Sequence, residues 1–231
     1  MSDQSARAST AARSQPLLAI DSSTEQAGVG LYDGVRLGEI VWAAGRTQTA
    51  TLLSQVHHLL TLHGVSASDL GAVAVTTGPG TFNGLRVGMA VAKGLMLGLD
   101  LPLLGVSTLA AAAMPHADMG RPVVAIVAAG RGRLVWAEYG DDQAGWSAVV
   151  PPRNGMVREL AGQIAGLQQP IVTGELTPEE EAIVGAVPGV TLVPRSLRGR
   201  RPAAVLSLAW DRYQAGEADD AARLEPLYLG R

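Results

Sequence analysis

The sequence predicts a two-lobed α/β protein, and three observations carry that prediction. Apolar strands ending in glycine-containing turns alternate with helical stretches along the chain. The alternation breaks between Pro115 and Gly120 and then restarts with a second apolar strand, a Gly-containing turn and another strand. A length of 231 residues is enough for one large domain or for two lobes with a real core. Sequence identity between the halves is negligible, so any kinship between them is one of architecture.

Residues 1–16 are small, polar and weakly basic, and are expected to form a disordered tail; they lack the apolar core of a signal peptide. "PLLAIDSS" reads as a buried strand from Leu17 to Ile20 that ends at Asp21. "AGVGLYDG" and "VRLGEIVWA" follow as strands, with Asp33-Gly34 signalling a two-residue hairpin turn. "TATLLSQVHHLLTLHG" places Leu52, Leu53, Val56, Leu59 and Leu60 on one arc of a helix that stops at Gly64. "LGAVAVTT" (70–77) has the unbroken apolar character of a strand buried on both faces. A glycine turn, a helix over about 81–98, the strand "PLLGV" and an Ala-rich helix from Ser107 complete a first lobe, 17–115. The second lobe, 116–231, opens with "RPVVAIVAA", the Gly130/Gly132 turn and "LVWAEYG". "PIVTG", "TPEEEAIVGA" and "VTLVP" continue it, and a helix over 202–216 closes it with Pro at its start and Gly at its end.

Composition narrows the function classes. At 47% hydrophobic and 17% charged residues the chain is too apolar for intrinsic disorder. No apolar run reaches the ~18 residues of a membrane helix. The absence of cysteine excludes disulfides, and with no export signal the expected location is cytoplasmic. A net charge of −3 is unlike a protein that binds RNA alone through a basic face. The one dense basic run, "RSLRGRR" at 195–201, reads as a solvated loop, with tRNA contact as the other reading.

The stretch "TTGPGTFNGLRVGMAVAKGLMLG" (76–98) has the outline of a phosphate-binding loop. Its glycine spacing does not fit the dinucleotide fingerprint, and no Gly-Lys-Ser/Thr follows. A helix N-terminus there can attract an anion, which makes Gly80 and Thr81 weak cofactor-binding candidates. A tight strand-to-helix turn capped by Thr81 or Asn83 explains the same residues. Gly84, Gly88, Val91, Leu95 and Gly98 fall on one stripe of the following helix, and interior glycines cost it about 1 kcal/mol each. Arg86, Met89, Ala90, Lys93, Met96 and Leu97 lie on the opposite face, a surface suited either to a partner or to the chain's own second lobe.

The four histidines include no pair at i,i+4 spacing, so no helix-borne metal site is expected. No Gly-x-Ser-x-Gly elbow is present. Asp21 is the one carboxylate placed for chemistry, able to hold a metal, orient a phosphate or cap its own turn.

"LLAIDSSTE", "TGPGTFNGLRVGMAVAKGLMLGLDLPLLGVSTLAA", "LVWAEY" and "LEPLYLGR", in order over nearly the whole chain from residue 17, closely resemble the TsaB (YeaZ) family. The resemblance implies an actin/hexokinase-like (ASKHA, ribonuclease H-like) fold of two related lobes. It also implies a role in making the N6-threonylcarbamoyladenosine modification of tRNA at position 37. In that system a TsaB-like chain is not an enzyme: it binds and stabilises the homologous subunit TsaD, and an ATPase, TsaE, joins the complex. ATP and metal belong to those partners, with no cofactor on this chain, tRNA is met only indirectly, and the free chain can form a homodimer.

The family's pairing helices correspond to residues 49–63 and 84–98. That marks Leu53, Val56, His57, Leu60, Arg86, Met89, Ala90, Lys93, Met96 and Leu97 as interface, with Met89 and Met96 central. Several positions depart from the family pattern. Gln48 stands where a His is usual, and Thr77, Thr81 and Asn83 replace Arg, Ser and Thr around the glycine turn. Ala128, Gly130 and Arg133 replace Asp, Arg and Glu before the "LVWAEY" strand. The rival expectation is a stand-alone ASKHA-type ATPase or phosphotransferase built on Asp21 and the glycine turn.

Overall fold

The computed structural model describes residues 15–45, 47–142 and 145–228, so residues 1–14 of the expected tail lie outside it. The chain runs β1 (Leu17–Asp21), β2 (Gln26–Tyr32), β3 (Leu37–Ala43), α1 (Gln48–Leu62), β4 (Ala72–Gly78), α2 (Phe82–Leu99), β5 (Leu103–Ser107) and α3 (Thr108–Ala113). It continues with β6 (Val123–Gly130), β7 (Arg133–Asp142), β8 (Gly145–Gly155), α4 (Val157–Ile164), β9 (Ile171–Gly174), α5 (Pro178–Gly185), β10 (Thr191–Leu192) and α6 (Pro202–Gln214).

The strands form two sheets of identical topology. The first has the order β3-β2-β1-β4-β5; the second, read from its opposite edge, is β8-β7-β6-β9-β10. In each, an antiparallel three-strand meander is extended by two parallel strands. This doubled unit is the two-lobed actin/hexokinase-like architecture. The sequence reading passes over β8, which carries Pro151 and Pro152; it is an edge strand, where a missing backbone donor is tolerated.

Alternation along β1 and β4 explains how the first sheet is covered on both faces. Leu18, Ile20, Val73 and Val75 pack with Leu52, Val56, Leu59 and Met89 of α1 and α2. Leu17, Ala19, Ala72 and Ala74 pack with Val205, Leu206, Ala209 and Tyr213 of α6. Expected in the second lobe, α6 therefore returns to the first, and its Tyr213 hydroxyl donates to the Gln15 carbonyl at 3.2 Å. The Ala-rich α3 wedges between the lobes: Ala111 faces the first core while Leu109, Ala112 and Ala113 face the second. Alanines on both sides allow that close fit.

Two local features differ from expectation. The hairpin at Asp33-Gly34 is a four-residue loop, because β2 and β3 pair out only to Tyr32↔Leu37. Asp33 accepts from the amides of Val35 and Arg36, which lowers its pKa to about 2. The glycines of α2 also divide. A Cβ at Gly88 would lie 2.4 Å from Ser22 Oγ, whereas at Gly94 and Gly98 it would meet only open space. Gly88→Ala should therefore destabilise the protein by about 1–3 kcal/mol through overpacking. Gly94→Ala should stabilise it by up to about 1 kcal/mol through helix propensity; urea unfolding of the two variants checks both signs.

Candidate functional site

The loop leaving β1 is polar yet enclosed: Asp21, Ser22, Ser23 and Thr24 are all buried. Asp21 Oδ1 accepts from the Ser23 amide (3.0 Å), Ser23 Oγ (2.6 Å) and Thr76 Oγ1 (3.0 Å). Its Oδ2 accepts from Arg200 Nε at 2.9 Å. The same guanidinium donates through Nη1 to Glu175 Oε1 at 2.6 Å and through Nη2 to Thr24 Oγ1 at 2.7 Å. Glu175 then accepts from the Ala128 amide of β6 at 3.1 Å. One buried arginine thus ties the end of β1 to the second lobe.

Burial alone would raise the pKa of Asp21, but the Arg200 charge and the Ser23 hydrogen bonds outweigh it and hold the carboxyl below its usual range. Burial likewise works against the charge on Arg200, and the carboxylates of Asp21 and Glu175 more than restore it. The carboxylate singled out in the sequence is a member of an internal ion pair as well as a turn cap. Its lone pairs are taken up by protein donors.

The glycine turn is built for backbone contact. The Thr81 amide donates to the Ser23 carbonyl at 2.6 Å, and a Cβ at Gly80 would lie 2.2 Å from that oxygen. Thr81 Oγ1 caps α2 by accepting from the Gly84 amide at 3.2 Å. Asp21, Gly80 and Thr81 are brought together, but as mutually satisfied groups. Among the described residues no cluster of three or more His, Asp or Glu side chains is arranged for a metal ion.

The basic run is a solvated loop only in part, since Arg195 and Arg201 stay exposed while Arg198 and Arg200 turn inward. Arg195 and Arg198 share Glu181, Arg200 bridges Asp21 and Glu175, and Arg201 pairs with Glu39. Arg198 and Arg200 are only 6% and 4% exposed. Sequence reading missed these partners because they lie 14 to 179 positions away.

The open surface belongs to α1 and α2, which lie side by side on the first sheet. Leu53 and Leu97 are 57% and 77% exposed, and Phe82 and Leu62 are also exposed. Ala90, Gly94, Gly98, His57 and Arg86 share this outer surface, and Lys93 and Met96 are half-buried. Val56, Leu60 and Met89, expected at the interface, are instead core residues, buried against the sheet. Met89 lies on the inward side of α2, so it cannot be the centre of a docking face. Among the described residues no helix is long and apolar enough to cross a membrane.

Residues 42–169 match the family model for TsaD, tRNA N6-adenosine threonylcarbamoyltransferase. The chain is 33% identical over 224 residues to the tRNA threonylcarbamoyladenosine biosynthesis protein TsaB of Escherichia coli (strain K12), covering 92% of this chain and 94% of that protein. It is 31% identical over 167 residues to the tRNA N6-adenosine threonylcarbamoyltransferase of Jannaschia sp. (strain CCS1), which spans 71% of this chain but 45% of the transferase. The crystal structure of a protein from Pseudomonas aeruginosa with similarity to peptidase YEAZ superposes with a TM-score of 0.79 at 28% identity, covering 94% of this chain and 100% of that chain.

Removing Arg200 tests the clamp. Arg200→Met leaves Asp21 buried and uncompensated, and should cost about 3–5 kcal/mol at neutral pH; Asp21→Asn in the same chain should recover part of it. In the wild type the depressed pKa of Asp21 stabilises the fold above the unfolded carboxyl value of about 3.9, and that stability is lost as pH falls through the folded value. In Arg200→Met the sign reverses, because a buried unpaired carboxyl takes up a proton more readily than the unfolded one. That variant should gain stability on mild acidification from pH 7, measured by urea unfolding.

Proposed function

Because the chain belongs to the TsaB (YeaZ) family of tRNA threonylcarbamoyladenosine biosynthesis proteins, we propose that it serves as a non-catalytic subunit docking on a TsaD-type threonylcarbamoyltransferase through α1 and α2. The observation that carries this reading is the outer face of those helices. Leu53 and Leu97 are large apolar groups left mostly in solvent on adjoining helices, which suits an association surface. Gly94 costs α2 about 1 kcal/mol relative to alanine, and no described residue would come within 4 Å of a Cβ there. A helix backbone arriving from outside would use that space. Arg86 and Lys93 lie beside the apolar residues, where rim charges set orientation and rate of association.

The partner's face follows from similarity. Residues 42–169 contain both helices and match the transferase model itself, so a TsaD-type subunit would present a pair of the same kind. Two like pairs would pack as a four-helix layer of ordinary interface size, about 1,600 Å² in total. The internal Asp21–Arg200 pair supports a subunit without phosphotransfer chemistry of its own. ATP and metal are then assigned to the transferase and to a TsaE-type ATPase.

The experiment is co-purification with the transferase of the same organism. Leu97→Asp and Leu53→Asp should reduce its recovery at least ten-fold without lowering the melting temperature, and threonylcarbamoyladenosine in tRNA should fall in cells carrying only those variants. Undiminished recovery would remove this face from the interface. Hydrolysis of ATP by the purified chain alone would overturn the non-catalytic assignment.

A further inference from the structure

Between the glycine turn and the β6–β7 turn lies an open cleft of about 520 Å³. Gly80, Arg131, Arg133, Asn154, Leu227 and Tyr228 are among its lining residues, and no described carboxylate is. Two arginines thus share one cleft wall with no described acidic side chain between them. Arg36, Arg195, Arg198, Arg200, Arg201, Arg212 and Arg223 each pair with an acidic side chain. Among the described residues, Arg131, Arg133 and the nearby Arg86 have no such ion pair, nor have Arg121, Arg153 and Arg158, which do not line this cleft. Among the described residues the cations without an acidic partner therefore include those at this cleft, whereas the arginines of the run at 195–201 are each paired.

The arrangement of the lining is specific. Arg131 and Gly132 form the two-residue turn closing the Gly130↔Arg133 pair, with Arg131 at φ +54°. Such turns favour Asn, Asp or Gly, so arginine holds this position against its backbone preference. Arg133 is fixed by Asn154, donating through Nε to Oδ1 at 2.8 Å and through Nη2 to the carbonyl at 2.9 Å. Tyr228 is 44% exposed and backed by Phe82, the ring centroids 5.4 Å apart. Arg86 sits 3.8 Å over the Phe82 ring and donates to the Tyr228 hydroxyl at 3.3 Å. The Leu227 amide anchors this last segment to the Thr77 carbonyl at 2.6 Å.

Uncompensated guanidinium groups beside an exposed aromatic ring match a phosphate with an attached base. We propose that this cleft binds a nucleotide unit of single-stranded RNA, its phosphate on Arg131 and Arg133 and its base on Tyr228. The proposal deepens the function inferred above, giving the subunit its own contact with RNA, and rests on that reading only for the identity of the RNA. A free nucleotide offers the same chemistry, and the test separates the two.

A short fluorescein-labelled single-stranded RNA is titrated with the full chain, alone and with the transferase bound, followed by anisotropy at several salt concentrations. Arg133→Glu and Tyr228→Ala should each weaken binding about ten-fold, and the arginine change should lower the salt slope by about 1. Arg131→Asn should raise the melting temperature, since Asn suits the turn, while weakening RNA binding several-fold. Arg121→Glu, at Gln169 and Thr191 away from the cleft, should leave binding unchanged. Unaltered RNA affinity in Arg131→Asn and Arg133→Glu would overturn the proposal, as would adenosine monophosphate binding as tightly as the strand. Transferase recovery should be normal with Arg131→Asn; loss of recovery would reassign the residue to docking. Failure of the Leu97→Asp docking test would leave these RNA results standing on their own.

Discussion

The contact between Arg200 and Asp21 holds the working surfaces in place. It lies beneath the loop after β1, and that loop organises what surrounds it. Ser23 receives the Thr81 amide through its carbonyl, and Ser22 Oγ donates to the Gly84 carbonyl at 2.7 Å, so the start of α2 is anchored to it. From there α2 carries Arg86, Ala90 and Leu97 outward. On the other side, Glu175 passes the connection to Ala128 on β6, the strand leading into the Arg131 turn. One guanidinium thus fixes both the helix face and the cleft relative to the two sheets. A buried pair of this kind contributes modestly when intact and is costly to break, which suits a part whose role is to position others.

The same pair bears on the chemistry open to Asp21. In a fold with a carboxylate at the end of its first strand, an internal cation held by Glu175 and Thr24 makes that carboxylate a structural anion. The lobes are joined by this clamp, by α3 wedged between two cores and by α6.

Much of this was legible in the sequence, and what was not has a physical reason. The strands read correctly where both faces are buried, as at 17–20 and 72–75, because their apolar runs are unbroken. The restart after Gly120 disclosed the doubling, since each lobe repeats the same order of patterns. Residues that act across the chain were not legible. Arg200 finds Asp21 only through the return of the chain to the first lobe, and nothing in "RSLRGRR" distinguishes an inward arginine from an outward one. The inward orientation of Met89 was missed because α2 is apolar around most of its circumference, so its pattern alone does not say which side meets the sheet. The β6–β7 turn registered only as family charges lost at Ala128 and Gly130 and reversed at Arg133, and Arg131 was passed over. Its meaning as a basic wall depends on Tyr228, nearly a hundred positions later.

The return of α6 also has a consequence for synthesis. Leu17, Ala19, Ala72 and Ala74 form an apolar sheet face whose cover comes from residues 204–213. While the ribosome is still making the intervening residues, that face lacks the helix that covers it in the finished fold. Completion of the first lobe must wait until residues 204–213 have been made, so a chain that stops before them is left with a sticky, half-finished sheet. Quality control could recognise it by that exposed surface.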